Sequence, residues 1–494
     1  MATDAPESQL LDAAPGASLA LTSVEVHRLH GKFSYRIDLA ASDHVPHAVD
    51  TADGLFAANE ERLTLLYGNN GTGKTSLLRL LFHALSSAGN KGHRTTVLNT
   101  RFARLAVRFT DGTLIAYSRS EDQLSGPFRA EIHLAGDGTD PITWNYSADD
   151  QRTSVYLEDD LARWPTEATL RSAGSITLFR EDDETRFLRT LDELALNPVL
   201  LSDSRAITAD VLPDNGAITR RARDRARRGL DPDDEALRER RDIDVVSALE
   251  RVRTYLSQLA FAGTQAGSQR VDTVYLNVAA AIVQHASKVG RPNQTLLPSL
   301  REKVSHLGER SQRFHSYGLL PEFPASTLNA RLADAPSRNG PLLEHVLNPY
   351  LDGLAERMDA LEPGLHAVAS FIDALNSFLE SKRAEFRPGP FGIRIFDEDT
   401  GEPLEPSELS SGEKQVVLLF SDIVALQDHT RLFIIDEPEL SLNPQWQRKL
   451  MPRLLEVTEQ SGMQLLAATH SIEIMAQYRD RIHRLDGRSA KATD

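Results

Sequence analysis

Strand-like patterns lie towards both ends of the chain. Apolar residues alternate with polar neighbours through residues 19–26 and 33–39, which predicts a β-hairpin with one buried face. The apolar run 63–67 predicts a buried strand that enters a glycine-rich loop, and a leucine stripe beyond the loop predicts a helix. Residues 104–117 predict a second hairpin around the turn Asp111-Gly112.

A helical pattern occupies the middle of the chain. Between residues 205 and 387 apolar side chains recur at every third or fourth position, and the clearest series are Val245, Leu249, Val252, Leu256 and Leu259, and then Leu347, Leu351, Leu354, Met358, Leu361, Leu365, Val368, Ile372, Leu375 and Leu379. This spacing is typical of helices in a coiled-coil-like hairpin or bundle, and equally of amphipathic helices in a compact domain. Pro363-Gly364 predicts a kink or a break into two consecutive helices. A strand pattern resumes at 391–395.

These changes of pattern divide the chain into four parts. We expect a disordered tail over residues 1–18, an N-terminal lobe over 19–204, a helical insertion over 205–387 and a C-terminal lobe over 388–494. The tail is acidic and rich in small residues, and no basic region leads into an apolar stretch, so it does not have the pattern of a secretion signal.

Composition and charge narrow the class of protein. The 494 residues include no cysteine, which excludes disulfides and thiolate metal sites. No apolar run approaches the roughly 18 residues of a membrane span, so we expect a cytoplasmic protein without a membrane partner. A net charge of −16 argues against a protein that coats nucleic acid over its whole surface, but it is compatible with a local basic groove.

A glycine-rich segment follows the predicted strand at 63–67 and fits the phosphate-binding loop pattern: Gly68, Asn69, Asn70, Gly71, Thr72, Gly73, Lys74 and Thr75, with Ser76 next. Glycines let the backbone amides and the helix N-terminus face phosphates. Lys74 is expected to reach the β- and γ-phosphates of ATP, and Thr75 to offer its hydroxyl to Mg²⁺. The alternative is a chance glycine turn, which the strand–loop–helix context disfavours.

Two apolar runs near the C-terminus end in polar residues. The run 431–435 is followed by Asp436 and Glu437, as expected of a buried parallel strand whose carboxyl end binds a ligand. Asp436 is placed to hold Mg²⁺ and Glu437 to polarise the attacking water. The run 465–469 ends at His470. An acidic pair or a single histidine in such a place can also be purely structural.

The segment Leu409-Ser410-Ser411-Gly412-Glu413-Lys414-Gln415 precedes an apolar helix pattern. Taken alone it is an ordinary helix N-cap. Its position shortly before the acidic strand resembles the signature motif of ABC-type ATPases. The order of all these motifs resembles that family, whose fold is an α/β P-loop ATPase head with a mixed or parallel sheet, interrupted here by an α-helical insertion.

The resemblance implies a set of roles. Ser410 and Gly412 of the signature would cap the γ-phosphate bound by a second copy in a head-to-tail dimer, and Ser411 and Glu413 join the expected nucleotide-binding residues. His470 would be the switch histidine that contacts the γ-phosphate and the attacking water, and together with Glu437 it forms the expected catalytic pair. Residues 438–444 match the loop that crosses the dimer interface in this family, so Asn443 joins the expected nucleotide-binding residues.

One motif of the family has no clear counterpart. The loop that usually offers a glutamine to Mg²⁺ is best matched by residues 199–205, which contain no glutamine, and Arg205 is the site residue that we name there. Gln123 and Gln151 lie in less suitable surroundings. Phe33 or Tyr35 could stack on adenine, and core packing is the other explanation for both aromatic residues.

The amino-acid sequence of residues 436–447 and 468–474 most resembles that of bacterial anti-phage ATPases, which include the OLD family, the Septu ATPase and the PARIS ATPase subunit AriA. OLD-family nucleases carry a further catalytic domain after the ATPase head. Only residues 471–494 follow His470, so we expect the effector, such as a nuclease encoded nearby, to be a separate protein. The resemblance thus implies a slow, regulatory ATPase that acts as a sensor or switch, as a dimer or a higher oligomer.

The alternative is an SMC-like ATPase of DNA repair or maintenance, because a long helical insertion between the motifs is also typical of that class. Six arginines in residues 220–228 could bind nucleic acid or a partner protein. Such a run can equally be a solvated loop, and the acidic residues 231–235 beside it would weaken its attraction to phosphates.

Overall fold

The computed structural model describes residues 19–39, 61–89, 91–120, 122–136, 140–147, 182–202, 207–210, 244–259, 295–388 and 392–486. The chain forms two compact units. The first unit contains Met1–Arg223 and Leu426–Asp494, and the second contains Asp224–Ala425.

A six-stranded sheet in the first unit gathers strands from distant parts of the chain. Its order is β15-β3-β14-β13-β8-β9, for β3 (Leu63–Tyr67), β8 (Val199–Leu201), β9 (Ile207–Ala209), β13 (Leu432–Asp436), β14 (Gln464–Ala468) and β15 (Ile482–Arg484). All neighbours are parallel except β8 and β9. The strands β13 and β14 are buried along their whole length, which explains their continuous apolar sequence.

A second, antiparallel sheet completes the first unit. Its order is β2-β1-β4-β5-β6-β7, for β1 (Leu21–Leu29), β2 (Phe33–Asp38), β4 (Arg104–Phe109), β5 (Leu114–Ser118), β6 (Phe128–His133) and β7 (Ile142–Tyr146). Both predicted hairpins are therefore present. One hydrophobic cluster contains residues of this sheet, of the parallel sheet and of the helix that follows β3. Gln464 of β14 also joins the two sheets, because its side-chain amide bonds both backbone groups of Leu21 in β1.

The helices of the first unit are α1 (Lys74–Leu85), α2 (His93–Asn99), α3 (Asp183–Glu193), α9 (Pro444–Val457) and α10 (Ile472–Gln477). Helix α1 has the predicted leucine face, and Leu77, Leu78, Leu81 and Leu85 are all buried. A short 3-10 turn, Arg479–Arg481, leads into β15.

The second unit contains the helical part of the chain. Its helices are α4 (244–259), α5 (Leu296–Ser316), α6 (Ala325–Ala333), α7 (Gly340–Asn376) and α8 (Ser411–Leu426), with 3-10 turns at Ser337–Asn339 and Pro406–Glu408. Helix α5 packs against both α6 and α7. A small antiparallel sheet, β10 (Lys382–Arg387), β11 (Gly392–Asp397) and β12 (Pro403–Leu404), lies in the same unit, and β10 contacts α7.

Pro363 does not divide helix α7, although the sequence predicted either a kink or two consecutive helices at this position. The helix runs without a break from Gly340 to Asn376 and includes Pro349 and Pro363, so two consecutive helices were the wrong alternative. A proline removes one N–H from the ladder of a helix, and tertiary packing can compensate for that loss. Here the turns around Pro363 are held by buried Leu361, Leu365 and Val368.

The borders of the compact units differ from the borders expected from sequence. Strand β9 lies beyond residue 204 but pairs with β8 in the parallel sheet of the first unit. Strand β10 lies before residue 388 and pairs with β11, so the small sheet belongs with the helices of the second unit. The predicted tail over 1–18 and the arginines of 220–228 lie outside the described residues. None of the helices in the described segments combines the length and apolar character that crossing a bilayer demands.

Candidate nucleotide-binding site

The glycine-rich loop joins β3 to α1 in a conformation that requires small residues. Gly71 and Gly73 have φ values of 82° and 87°, in the left-handed region that favours glycine. A Cβ atom on Gly68 would lie 2.8 Å from Thr72 Oγ1 and 2.9 Å from the carbonyl oxygen of Leu485. The loop therefore wraps closely at the N-terminus of α1, which is the geometry that binds phosphate groups.

Lys74 lies in the first turn of α1 and folds back over the loop. Its side chain is buried, and Nζ donates to the carbonyl oxygens of Gly68 at 2.7 Å and Asn69 at 3.3 Å. Burial lowers the pKa of Lys74 from its ordinary value, and three carboxylates counteract this effect: Glu437, Asp436 and Glu439. The predicted acidic pair thus lies within electrostatic reach of the predicted phosphate-binding lysine.

Strand β2 supports the loop through Tyr35. The hydroxyl of Tyr35 donates to the carbonyl oxygen of Thr72 at 2.7 Å, and its ring stacks on Phe33 with the centroids 6.0 Å apart. Burial, with a contribution from Asp486, raises the pKa of Tyr35 to about 12, so the hydroxyl keeps its proton. Tyr35 is buried, which agrees with the core-packing explanation. Ser76, in the first turn of α1, is hydrogen-bonded to the turn between β1 and β2: its Oγ atom lies 2.8 Å from Nε2 of His30.

Three neighbouring parallel strands bring the motifs to one edge of the sheet. Residue Asp436 of β13 is in register with Ala468 of β14, and Ala468 is in register with Leu66 of β3. The glycine-rich loop, the acidic pair and the segment of His470 all begin within two residues of this row. Carboxyl ends of parallel strands are where ligands bind in α/β sheets.

The acidic pair differs in environment. Asp436 is buried at the end of β13. Glu437 is partly exposed and has a φ of 53°, and its N–H donates to the carbonyl oxygen of Ala468 at 2.9 Å. A non-glycine residue in the left-handed region is unusual and occurs often at functional sites. This conformation turns the chain out of the sheet directly after Asp436.

His470 is held by its backbone and by Tyr67. Its N–H donates to Glu439 Oε1 at 2.6 Å, and its partly exposed ring packs edge-on against the ring of Tyr67, with centroids 6.4 Å apart. The following residue, Ser471, caps α10 by accepting from the N–H of Ile474 at 3.1 Å.

The predicted signature segment begins α8 in the second unit, and it forms a capping box. Ser410 Oγ accepts from the N–H of Glu413 at 3.3 Å, and the N–H of Ser410 donates to Glu413 Oε2 at 2.6 Å. Lys382 forms an ion pair with the same carboxylate at 2.8 Å. Burial raises the pKa of Glu413, but Lys382 and Ser410 together hold it below its ordinary value.

Comparison with known proteins shows the family of this chain. Residues 63–476 match the protein family described as "AAA domain, putative AbiEii toxin, Type IV TA system", and the match covers well over half of the chain. The chain belongs to this AAA-domain family. The α/β P-loop ATPase fold predicted from sequence is confirmed.

Curated relatives share a shorter segment with this AAA-domain protein. It is 35% identical over 75 residues to the phosphonates import ATP-binding protein PhnC 1 of Nostoc sp., which is 15% of this chain and 27% of that protein. It is 31% identical over 90 residues to the methionine import ATP-binding protein MetN 1 of Bacillus cereus, which is 18% of this chain and 25% of that protein. The chain thus spans about a quarter of the length of these relatives.

Solved structures with a weak similarity to this chain include Smc head domains. The Smc head domain with an extended coiled coil, bound to the C-terminal domain of ScpA, from Pyrococcus furiosus is 12% identical, with a TM-score of 0.36 and coverage of 93% of this chain and 91% of that one. The Smc head domain with a coiled coil and joint from Pyrococcus yayanosii is 11% identical, with a TM-score of 0.34 and coverage of 93% of both chains. Similarity at this level is too low to transfer a property to this protein.

Some predicted site residues have a structural role in the AAA-domain chain. Asn443 Oδ1 accepts from the N–H of Trp446 at 2.9 Å and so caps α9. Ser410 and Glu413 cap α8 as described, and Ser411 and Gly412 lie in its first turn. These observations agree with the N-cap interpretation of the signature segment, and contact of these residues with nucleotide stays a prediction.

The segment matched to the glutamine loop of ABC-type ATPases begins with β8. Strand β8 lies beside β13, with Leu201 in register with Ile435, so Ser202 follows at the same edge of the sheet as Asp436. Arg205 and Gln151 lie outside the described residues. Gln123 lies in a turn beside the antiparallel sheet, where its N–H donates to the carbonyl oxygen of Ser120 at 2.9 Å. No residue is assigned the role of that glutamine.

The donors near the loop suit Mg²⁺ brought by a nucleotide. Thr75 in the first turn of α1 and Asp436 at the end of β13 offer oxygen ligands, which Mg²⁺ prefers. Within the described ranges no group of three or more histidine, aspartate or glutamate side chains could hold a metal ion.

Three residues that contact predicted site segments were not identified from the sequence: Tyr35 as a support of the loop, Lys382 as the partner of Glu413, and Glu439 as the acceptor for the His470 backbone. Each of these side chains contacts a segment more than 30 residues away. For Glu439 the sequence offers one local indication of a role at the site, namely that it is an acidic residue three positions after Asp436.

Proposed function

We propose that this AAA-domain protein binds ATP with Mg²⁺ on the loop Gly68–Thr75 and hydrolyses it with Glu437 and His470. One observation carries the proposal: the loop, the acidic pair and His470 meet at the carboxyl edge of three adjacent strands that are in register. A chance glycine turn would not have these groups beside it.

Each side chain has a defined task in this proposal. Lys74 exchanges the carbonyl oxygens of Gly68 and Asn69 for phosphate oxygens, which are stronger acceptors because they are charged. Asp436 and Thr75 hold Mg²⁺, whose charge offsets that of the phosphates. Glu437 orients and polarises the attacking water, and His470 contacts the water and the γ-phosphate.

A second copy of the chain completes the site in this proposal. The N-terminus of α8, with Ser410, Ser411, Gly412 and Glu413, binds the γ-phosphate of the ATP held by the partner, in a head-to-tail dimer. A helix of 16 residues has a positive N-terminal end that favours an anion. The capping box and the Lys382 ion pair support the proposal, because they fix the start of this helix.

At the level of the cell, we propose a slow, regulatory ATPase in the cytoplasm that senses infection and controls a separate effector protein in anti-phage defence. The family description, which names a toxin system, supports this assignment. Co-expression with the gene next to it should give a stable complex in at least one nucleotide state. If no neighbour binds in either state, and DNA binds in an ATP-dependent manner with a steep salt dependence, the protein is an SMC-like DNA-binding ATPase instead.

The hydrolytic roles predict different defects for two substitutions. Lys74→Ala should abolish ATP binding, because it removes the cation that meets the phosphates. Glu437→Gln should keep ATP affinity within about threefold but lower kcat at least about 100-fold, and closed dimers should accumulate. Isothermal titration, phosphate release and light scattering measure these effects. A Glu437→Gln variant with normal turnover would show that another group activates the water.

A further inference from the structure

Glu439 lies between the two segments to which we assign hydrolysis. It follows Glu437 by two residues in the chain. Its Oε1 atom accepts two hydrogen bonds, from the N–H of His470 at 2.6 Å and from the N–H of Ser471 at 3.1 Å. The carboxylate therefore fixes the backbone of the segment that carries the predicted switch histidine.

The backbone of Glu439 is itself fixed relative to Glu437. The N–H of Leu440 donates to the carbonyl oxygen of Glu437 at 3.1 Å, and the N–H of Leu442 donates to that of Glu439 at 2.9 Å. Glu437 in turn bonds Ala468, two residues before His470. A closed ring of contacts thus joins the two predicted catalytic residues through Glu439.

Further side chains reinforce the far side of this ring. Ser471 Oγ donates to Gln447 Oε1 at 2.7 Å, and Gln447 Nε2 donates to the carbonyl oxygen of Leu442 at 2.8 Å. Ser471 is buried. Because Gln447 belongs to α9, the segment after His470 is held both by the loop that follows β13 and by the helix that follows this loop.

The other oxygen of Glu439 does not take part. Within the described segments, its Oε2 atom is buried and makes no hydrogen bond. The two bonds of Oε1 are therefore the hydrogen bonds that this carboxylate makes within the described segments, and its charge acts in addition on the pKa of Lys74. Glutamine retains an acceptor at that position, whereas leucine has a similar size and no acceptor.

We propose that Glu439 is a positioning residue that keeps the His470 backbone in register with Glu437, a role that rests on the proposed function. Hydrolysis requires the attacking water to be aligned by groups on both segments, and small misplacements of such groups are costly. Nucleotide binding depends on the Gly68–Thr75 loop, which the hydrogen bonds of Glu439 do not include. Leucine and glutamine both remove the charge that acts on Lys74, so only the acceptor for the His470 N–H distinguishes the two variants. Loss of this acceptor should affect turnover far more than ATP affinity.

Three variants of the full-length protein test this role. Glu439→Leu should lower kcat about 10- to 100-fold and change KM less than about threefold. Glu439→Gln should keep kcat within about threefold of the unmodified protein, because its amide oxygen replaces the acceptor. Glu456→Leu changes a partly exposed carboxylate on α9 that pairs with Arg453 of the same helix and contacts neither catalytic segment, so this matched control should behave as the unmodified protein. Wild-type turnover in Glu439→Leu, or equal losses in the leucine and glutamine variants, would overturn the proposal.

Hydrogen–deuterium exchange provides a readout that does not need turnover. In the nucleotide-free protein, the amide of His470 should exchange faster in Glu439→Leu than in Glu439→Gln or the control. The amide of Ser471 also donates to Thr469 Oγ1 at 3.0 Å, so it keeps a partner in every variant. Unchanged exchange of the His470 amide in Glu439→Leu would overturn the positioning role even if that variant hydrolyses ATP more slowly. An unmodified protein that does not hydrolyse ATP would instead refute the proposed function, and the exchange data would still decide the role of Glu439.

Discussion

At the scale of single residues, this protein relies on side chains that bond backbone groups far away in sequence. Tyr35 bonds Thr72, Glu439 bonds His470, and Gln464 bonds both backbone groups of Leu21. Leu21 and Gln464 are both buried, and the bonds between them join the two sheets of the first unit. Such bonds matter because a buried backbone group without a partner destabilises the folded state.

Gln464→Leu should therefore lower stability. The substitution leaves the N–H and the carbonyl of Leu21 without the partners that they have at 2.7 and 3.0 Å. An unsatisfied buried group costs about 1–3 kcal/mol, so we expect a loss of about 3 kcal/mol in the free energy of unfolding. Urea denaturation measures it. Gln460→Leu, at an exposed position just after α9, is the control and should change the free energy by less than about 0.5 kcal/mol.

The site residues that could be predicted from sequence are those that the local sequence pattern places at the end of a strand. The loop Gly68–Thr75, Asp436 and Glu437 follow strands in the sequence, so their common edge follows from the parallel arrangement of strands. Lys382 and Glu439 could not be found in this way, because each acts on a segment about 30 residues away. Only the folded chain brings such partners together.

At the scale of elements, two ion pairs hold helix α8 in the second unit. Its start is held by the ion pair between Glu413 and Lys382, and its middle by the ion pair between Asp422 and Arg251 of α4. Asp422 is almost completely buried. Burial raises the pKa of Asp422 to about 6, although Arg251 acts in the opposite direction.

This raised pKa predicts a pH effect with a definite sign. The pKa of Asp422 is higher in the folded state than in the unfolded chain, where an aspartate has a pKa of about 3.9, so the folded state binds the proton more tightly. Protonated Asp422 therefore contributes to stability fully below pH ~4, and this contribution is lost as the pH rises through ~6. Asp422→Asn should remove that loss. Between pH 4 and pH 7.5, the free energy of unfolding should fall about 2 kcal/mol more in the unmodified protein than in the variant. A smaller fall in the unmodified protein would mean that Arg251 outweighs burial.

Element boundaries show where sequence patterns were insufficient. The apolar run after residue 431 and the leucine face of α1 were predicted as found, because burial alone determines them. Helix α7 continues past Pro363, and β10 precedes the expected start of the second sheet region. In both cases packing outweighs a local signal: buried neighbours hold the helix, and pairing with β11 recruits the charged strand Lys382–Arg387.

At the scale of the whole molecule, the predicted motifs fall into two compact units. The loop Gly68–Thr75, Asp436, Glu437 and His470 belong to the first unit, and the segment Ser410–Glu413 belongs to the second. The central proposal is that a complete site takes its loop and acids from one copy of the chain and its signature segment from another. This proposal makes a quantitative prediction for mixtures of inactive variants.

Complementation between inactive variants is the most direct test. Lys74→Ala and Ser410→Arg should each be inactive alone. In a mixed dimer of the two, one site keeps an intact loop from one copy and an intact signature segment from the other. If subunits exchange freely, half of the dimers are mixed and each has one active site of two, so about a quarter of the wild-type rate should return. Mixing Lys74→Ala with Glu437→Gln should restore nothing, because both changes affect the same side of the site. An inactive first mixture, in which mixed dimers are shown to form, would contradict the shared site.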